Sequence, residues 1–319
     1  MKVNNMFIAI SAVIILLLLA ACSGQQPTPV PPTPTAVVMP VTGVQYYFVT
    51  NKLLLPISQG QTQAFALNID GDSQQRLDNK FGELLTLLTS AAPTLELQST
   101  LDQVINTGQL VTLHVVKADD ALNDPSVSWS VFQGEKNQSN PNFDGSDKFT
   151  IDSTAPVNVP IVGSLTNGHF TGSSGTARVQ MILLGQQVDA DLIGVRLEAD
   201  LSGVGCSNSK LGGGVTIEEF RSKLLPAIAG GFNQIIKTNN AASNTLLQIF
   251  DLDRNGTITT QDLENNPILM MAISPDLDLL DAAGKFNPNQ DGVKDSYSLG
   301  LGFTCVPAAF SAPEIVVVP

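Results

Sequence analysis

The chain has 319 residues, with 16 Lys+Arg against 29 Asp+Glu and a net charge of −13 at pH 7. That balance excludes a nucleic-acid footprint and a polybasic membrane patch, whereas an acidic surface suits cations. Charged residues make up only 14% of the chain, and the abundant Thr, Ser, Asn, Gln and Gly fit secreted β-rich binding proteins and enzymes equally well.

Lys2 supplies a positive n-region and "MFIAISAVIILLLLAA" an apolar stretch too short for a comfortable membrane span, which predicts a signal peptide over residues 1–21. The tetrapeptide "LAAC", Leu19 to Cys22, resembles a bacterial lipobox. That resemblance implies cleavage before Cys22, lipidation of its thiol and acylation of the new amino terminus. Several acyl chains give stable anchoring, since each buried methylene contributes about 0.8 kcal/mol. Ser23 is not the aspartate of an inner-membrane retention signal, so the expected place is the bacterial cell envelope, at the outer membrane or the surface of a single-membrane cell. Residues 22–43 are rich in Pro and Thr and almost uncharged, which predicts an extended tether.

Residues 44–319 are left to fold as one β-rich domain. "GVQYYFVTNKLLL" and "QAFALNI" have strand composition, then the period changes. Leu77, Phe81, Leu84, Leu85 and Leu88 fall at helical spacing, and Leu97, Leu101, Val104 and Ile105 repeat it after Pro93, predicting two helices. Short runs follow, "LVTLHVVKA", "VSWSVF", "KFTID", "VNVPIVGSL", "GHFTGSS", "ARVQMILLG" and "ADLIGVRLEADLSGV", separated by turn formers. The expected class is α+β: mainly an antiparallel β-sandwich or flattened barrel, with an EF-hand-like helical excursion over residues 216–274 before the closing strands "DSYSLGLGFTCVPAAF" and "EIVVV". "LGGG", Leu211 to Gly214, is expected to be the turn into that excursion, and Thr216 with Glu219 a capping box at its start. Pro226 and Gly230-Gly231 are expected to kink or split the helix.

Inside the excursion, "FDLDRNGTITTQDLENN" places oxygen donors in the register of an EF-hand loop. Asp251 stands at position one, Asp253 at three, Asn255 at five, the Thr257 carbonyl at seven, Thr259 at nine and Asp262 at twelve. Gly256 at position six permits the sharp turn, Ile258 braces the loop through the core and Thr259 can cap the next helix. Asp262 replaces the usual glutamate with a side chain one methylene shorter, which lowers calcium affinity or shifts preference towards magnesium. Extracellular modules work at dissociation constants of about 10⁻⁴ to 10⁻³ M, so a weak loop suffices there. The expected cofactor is therefore Ca²⁺.

Two further stretches have related chemistry. "NPNQDGVKD" offers Asn287, Asn289, Asp291, the Val293 carbonyl and Asp295, resembling the compact calcium loops of thrombospondin-type modules, or else an ordinary Asn/Asp/Gly turn. "NIDGDSQQRLDN" offers Asn68, Asp70, Asp72 and Asp78, either as a third cation loop or as a strand-to-helix turn whose carboxylates cap amides. Cys206 and Cys305 are an even pair in an oxidising compartment and are expected to form a disulfide, with two separate buried thiols as the alternative.

Catalytic motifs are not evident. His114 lies on an alternating strand and His169 in a glycine-rich turn, and neither has a metal-binding spacing or a nucleophile beside it. Trp129 and Phe132 could form a sugar platform, although strand aromatics usually pack in a core.

Taken together, "DADLIGVRLEADLSG", "LGGGVTIEEFRSKLLPAIA", "FDLDRNGTITTQDLENNPIL" and "SPDLDLLDAAGKFNPNQDGVKDSYSLGLGF" resemble a group of uncharacterised bacterial lipoproteins with an EF-hand-like calcium loop. The resemblance implies an extracytoplasmic lipoprotein and offers no activity to transfer. The expected function is a lipid-anchored calcium-binding protein with the ion in a structural role, held to the membrane by its N-terminal lipid and binding an unknown envelope or extracellular ligand. A calcium-dependent hydrolase of polysaccharide or peptide is the alternative.

Overall fold

Eight strands, each hydrogen-bonded to its sequence neighbours and the first to the last, form a closed antiparallel barrel. The computed structural model describes residues 43–92, 95–136, 140–238, 241–272 and 274–312. The expected signal peptide, the tether to residue 42, Cys22 and the "EIVVV" strand lie outside the described residues. The strands are β1 (Val44–Leu54), β2 (Thr112–Ala118), β3 (Asp124–Gln133), β4 (Ile161–Thr166), β5 (His169–Leu183), β6 (Gln186–Ser202), β7 (Gly205–Thr216) and β8 (Ser296–Pro307). Helices α1 (Gln59–Ala64), α2 (Lys80–Ala91) and α3 (Leu97–Asn106) lie between β1 and β2. Between β7 and β8 come α4 (Ile217–Glu219), a π-helical turn (Phe220–Leu224), α5 (Leu225–Lys237), α6 (Ala241–Phe250), α7 (Thr260–Asn265) and α8 (Pro267–Ala272). The class is α+β, and of the two sheet arrangements expected the chain adopts the barrel. Because neighbouring strands alternate in direction, the β1–β2 and β7–β8 insertions emerge at the same end.

The alternation of β5 and β6 explains the wall. Phe170, Ala177, Met181, Ala190, Leu192, Leu197 and Ala199 face the core, while Arg178, Asp191 and Glu198 point outward. Such charge on the outer wall is unlike a lipid-facing band. β2 loses the expected alternation, since Leu113, His114, Val115 and Val116 are all buried. One face of β2 looks into the barrel, and the other is covered by Phe143, Ile151, Ala308 and Phe310 from the β3–β4 connection and the C-terminal segment.

Several local expectations fail for tertiary reasons. "QAFALNI" is not a strand: α1 begins at a Ser58 cap, and only Leu67 forms an isolated bridge, with Asp78. "GHFTGSS" and "ARVQMILLG" are one continuous strand, β5. "KFTID" contributes only isolated bridges, Lys148 with Ala309 and Ile151 with Gly134. "LGGG" is not a turn but the middle of β7. A β-carbon on Gly214 would sit 2.1 Å from Leu279 Cδ1, and one on Gly300 of β8 would sit 2.2 Å from the Phe65 carbonyl oxygen. The glycines thus form a bare seam on which the 65–69 and 277–279 segments lie, burying Leu67, Ile69, Leu277 and Leu279 together.

The helix after β7 continues through Pro226 instead of breaking. The π-helical turn, in which Leu225 N–H reaches back five residues to the Phe220 carbonyl, widens the backbone just before the proline and so makes room for its ring. Thr216 caps α4 as expected, but the Glu219 carboxylate does not complete a capping box; it accepts the Asp191 N–H at 2.8 Å across the sheet.

Candidate metal centre

α6 ends on Phe250 and α7 starts at Thr260, so the nine residues between them must turn sharply while keeping both helices packed. Phe250, Ile258 and Leu263 are 0–1% exposed and pin the loop to the core, with Phe250 stacked on Phe232 of α5 at a centroid distance of 5.0 Å. Arg254 at φ 58° and Gly256 at φ 87° make the turn. The Asp251 carboxylate accepts Asn255 N–H at 3.1 Å and Gly256 N–H at 2.8 Å, and Asn255 Oδ1 accepts Thr257 N–H at 2.9 Å. These bonds curl the chain so that its acidic side chains point inward.

Carboxylate oxygens of Asp251, Asp253 and Asp262 lie within 4.8 Å of one another, the single such acidic trio among the described residues. The trio offers oxygen donors only, close enough together for one hard divalent cation of the calcium or magnesium class. Asp262 has a second task. Its Oδ2 accepts the Thr259 N–H at 2.8 Å and hydroxyl at 2.6 Å, while Thr259 Oγ1 accepts Asp262 N–H, a reciprocal capping box. The Thr259 hydroxyl holds the Asp262 carboxyl below its ordinary value, keeping it ionised for a cation.

One residue of this centre is invisible in the loop pattern. Asn233 of α5 donates through Nδ2 to the Ile258 carbonyl at 2.7 Å and accepts the Ile258 N–H at 2.9 Å. A single carboxamide thus satisfies both backbone groups of the residue next to Thr257. Asn233→Ala should weaken calcium binding about tenfold, in line with the effect of second-layer partners at metal sites. A calcium titration of the variant against wild type measures this; unchanged affinity would mean the clamp does not set the loop.

The two lesser loops are brought together, although more than 200 residues separate them: Asn289 Nδ2 donates to the Asp70 carbonyl at 3.0 Å. In the first of them the side chains serve the turn. Asn68 Oδ1 and Asp70 Oδ1 both accept Asp72 N–H at 3.0 Å, and the Asp72 carboxylate holds Arg76. Asp78 lies further in, where burial, then Asp70 and Asp276, push its carboxyl up to about 7. An acid raised in the folded state stabilises it fully below the unfolded value near 3.8 and loses that contribution as pH rises through 7. Asp78→Asn should therefore raise the melting temperature at pH 8 and have little effect at pH 4; an equal effect at both would show that Asp78 titrates normally. In the second loop, Asp295 accepts Leu279 N–H, Leu280 N–H and the Ser296 hydroxyl, so it locks backbone, and Asn287 uses its N–H on the Leu279 carbonyl.

The histidines are accounted for elsewhere. His114 faces the barrel interior: Trp129 Nε1–H donates to its Nδ1 at 3.1 Å, so its Nε2–H donates to Thr50 Oγ1 at 2.7 Å. Burial pushes His114 down to about 3, leaving a neutral ring stacked on Phe303. Trp129 is 0% exposed and belongs to the core, as does Phe132. Above His114 a small cavity of about 60 Å³ opens between Thr112, Gln133, Asn158 and Gln180 at the insertion end. His169 pairs with Asp200 at 2.6 Å on the exposed surface. Cys206 and Cys305 are paired across β7 and β8 and joined as a disulfide. No helix among the described residues is long and apolar enough to cross a membrane. Comparison of the chain with family models, with curated proteins and with solved structures finds no match.

Proposed function

We propose that the chain is a lipid-anchored, extracytoplasmic calcium-binding protein in which the EF-hand-like segment fastens a helical excursion onto a barrel. The observation that carries this is the convergence of Asp251, Asp253 and Asp262 within 4.8 Å at the junction of α6 and α7. The cation would be held by those carboxylates with Asn255 and the Thr257 carbonyl, neutralising charges that otherwise repel. It would bind only the folded loop, so its binding free energy adds to folding. The lipobox resemblance at Cys22 supports the anchor, and the acidic balance of the chain supports a cation rather than a polyanion as ligand. A structural role is favoured over sensing because Asn233 already fixes Ile258 through both backbone groups, which leaves the loop little freedom to swing.

Calorimetric titration of chelated protein tests the ion: heat at millimolar calcium is expected from wild type, and little from Asp251→Ala/Asp253→Ala. Absence from wild type of both heat and a melting shift at millimolar calcium would refute calcium binding. Membrane partition and fatty-acid labelling of Cys22→Ser test the anchor, and labelling that survives the substitution would refute it.

A further inference from the structure

The linear pattern "NPNQDGVKD" puts Asn287 at the first ligand position, but the folded chain fills that position from another segment. Residues 278–280 and 286–289 form a small antiparallel hairpin. Asp281 N–H bonds the Lys285 carbonyl, Asn287 N–H the Leu279 carbonyl and Asn289 N–H the Asp278 carbonyl. The hairpin carries the Asp278 side chain to the 289–292 turn, where Oδ2 accepts the Gly292 N–H at 2.7 Å.

That contact has a counterpart in the α6–α7 loop, where Asp251 Oδ2 accepts the Gly256 N–H at 2.8 Å. The correspondence continues. Asp291 Oδ1 accepts Val293 N–H at 2.9 Å, as Asn255 Oδ1 accepts Thr257 N–H at 2.9 Å. Gly292 turns at φ 75° and Gly256 at φ 87°. Aligned this way, Asp278 matches Asp251, Asn289 matches Asp253, Asp291 matches Asn255 and the Val293 carbonyl matches that of Thr257.

A separate observation points to a ligand. Asp278 is 2% exposed, and its Oδ1 has no hydrogen-bond partner. A carboxylate oxygen only accepts, and burying one without a partner is costly, so a group of this kind is retained where a cation completes it. Asn289 has its Nδ2 on the Asp70 carbonyl, which leaves its Oδ1 as the end that can coordinate.

We infer that Asp278, Asn289 and Asp291, with the Val293 carbonyl, form a second divalent-cation site whose first ligand comes from outside the linear loop. The donors are all oxygen, so the ion is of the calcium or magnesium class. With two carboxylates instead of three, this site binds more weakly than the α6–α7 loop. Its ion would tie the 277–295 segment to the Asn68–Asp78 turn through Asn289.

The test counts ions. Full-length protein is dialysed against calcium at several millimolar and the bound metal measured. Wild type should hold two ions, Asp251→Ala/Asp253→Ala one, and that variant with Asp278→Asn none. If Asp278→Asn fails to fold, Asp291→Ala at an exposed position carries the test and should also cost one ion. Retention of the second ion by a folded Asp278→Asn or Asp291→Ala protein overturns the inference, as does a wild type whose one ion is lost with Asp251 and Asp253. One ion that survives the first pair of substitutions but not Asp278→Asn would support this site while refuting the α6–α7 site.

Discussion

Saturating calcium is expected to raise the melting temperature by about 5–10 °C, and Asp251→Ala/Asp253→Ala to remove at least half of that shift. An ion at 100 times its dissociation constant adds about 2.7 kcal/mol to a native state that alone binds it. A domain of this size moves by about 2–4 °C per kcal/mol. The sensitivity follows from the site: three carboxylates held within 4.8 Å repel one another without a cation, and Asp251 and Asp262 are both buried. Differential scanning calorimetry with chelator and with calcium at about 100 times its dissociation constant gives the result directly. Identical transitions under both conditions would refute a structural ion.

Removing the disulfide, with Cys206→Ser/Cys305→Ser, should lower the melting temperature by about 5–15 °C. Loss of a native disulfide typically costs about 2–5 kcal/mol, and the entropic effect grows with the loop it closes. Here the loop spans 99 residues and contains every helix from α4 to α8, together with the Asp251–Asp262 and Asp278–Val293 segments. The cross-link and the proposed calcium would therefore constrain the same stretch of chain. Their contributions should not add: chelation should cost more in the serine variant than in wild type, as expected for coupled sites. A melting curve unchanged by the two substitutions would show that barrel closure alone holds β7 against β8.

What could be read from the sequence was whatever is written locally. The long wall strands announce themselves through alternation, as in "DADLIGVRLEADL", and α2 and α3 through leucines at helical spacing. The convergence of Asp251, Asp253 and Asp262 was legible because all three lie within one short stretch of chain. Misreadings arose where a distant partner decides. Glycines 212–214 look like a turn until Leu67 and Leu279 are seen resting on them. β2 looks half-exposed until the C-terminal segment covers it. Asn233 and Asp278 belong to no recognisable spacing, since each reaches its loop by folding. Glu219 stands at a local capping position, whereas its carboxylate spans to β6.

The closure of β1 onto β8 governs how the molecule can come apart. An open sheet loses its outermost strand first, one row of hydrogen bonds at a time, and that same row can recruit a neighbouring molecule. A ring has no outermost strand. Opening it anywhere requires a whole ladder to part at once, and the ladder between β7 and β8 is also cross-linked. Amide protons of all eight strands should thus exchange with solvent as one slow group, while those of α6, α7 and the loop between them exchange earlier and in step with calcium occupancy.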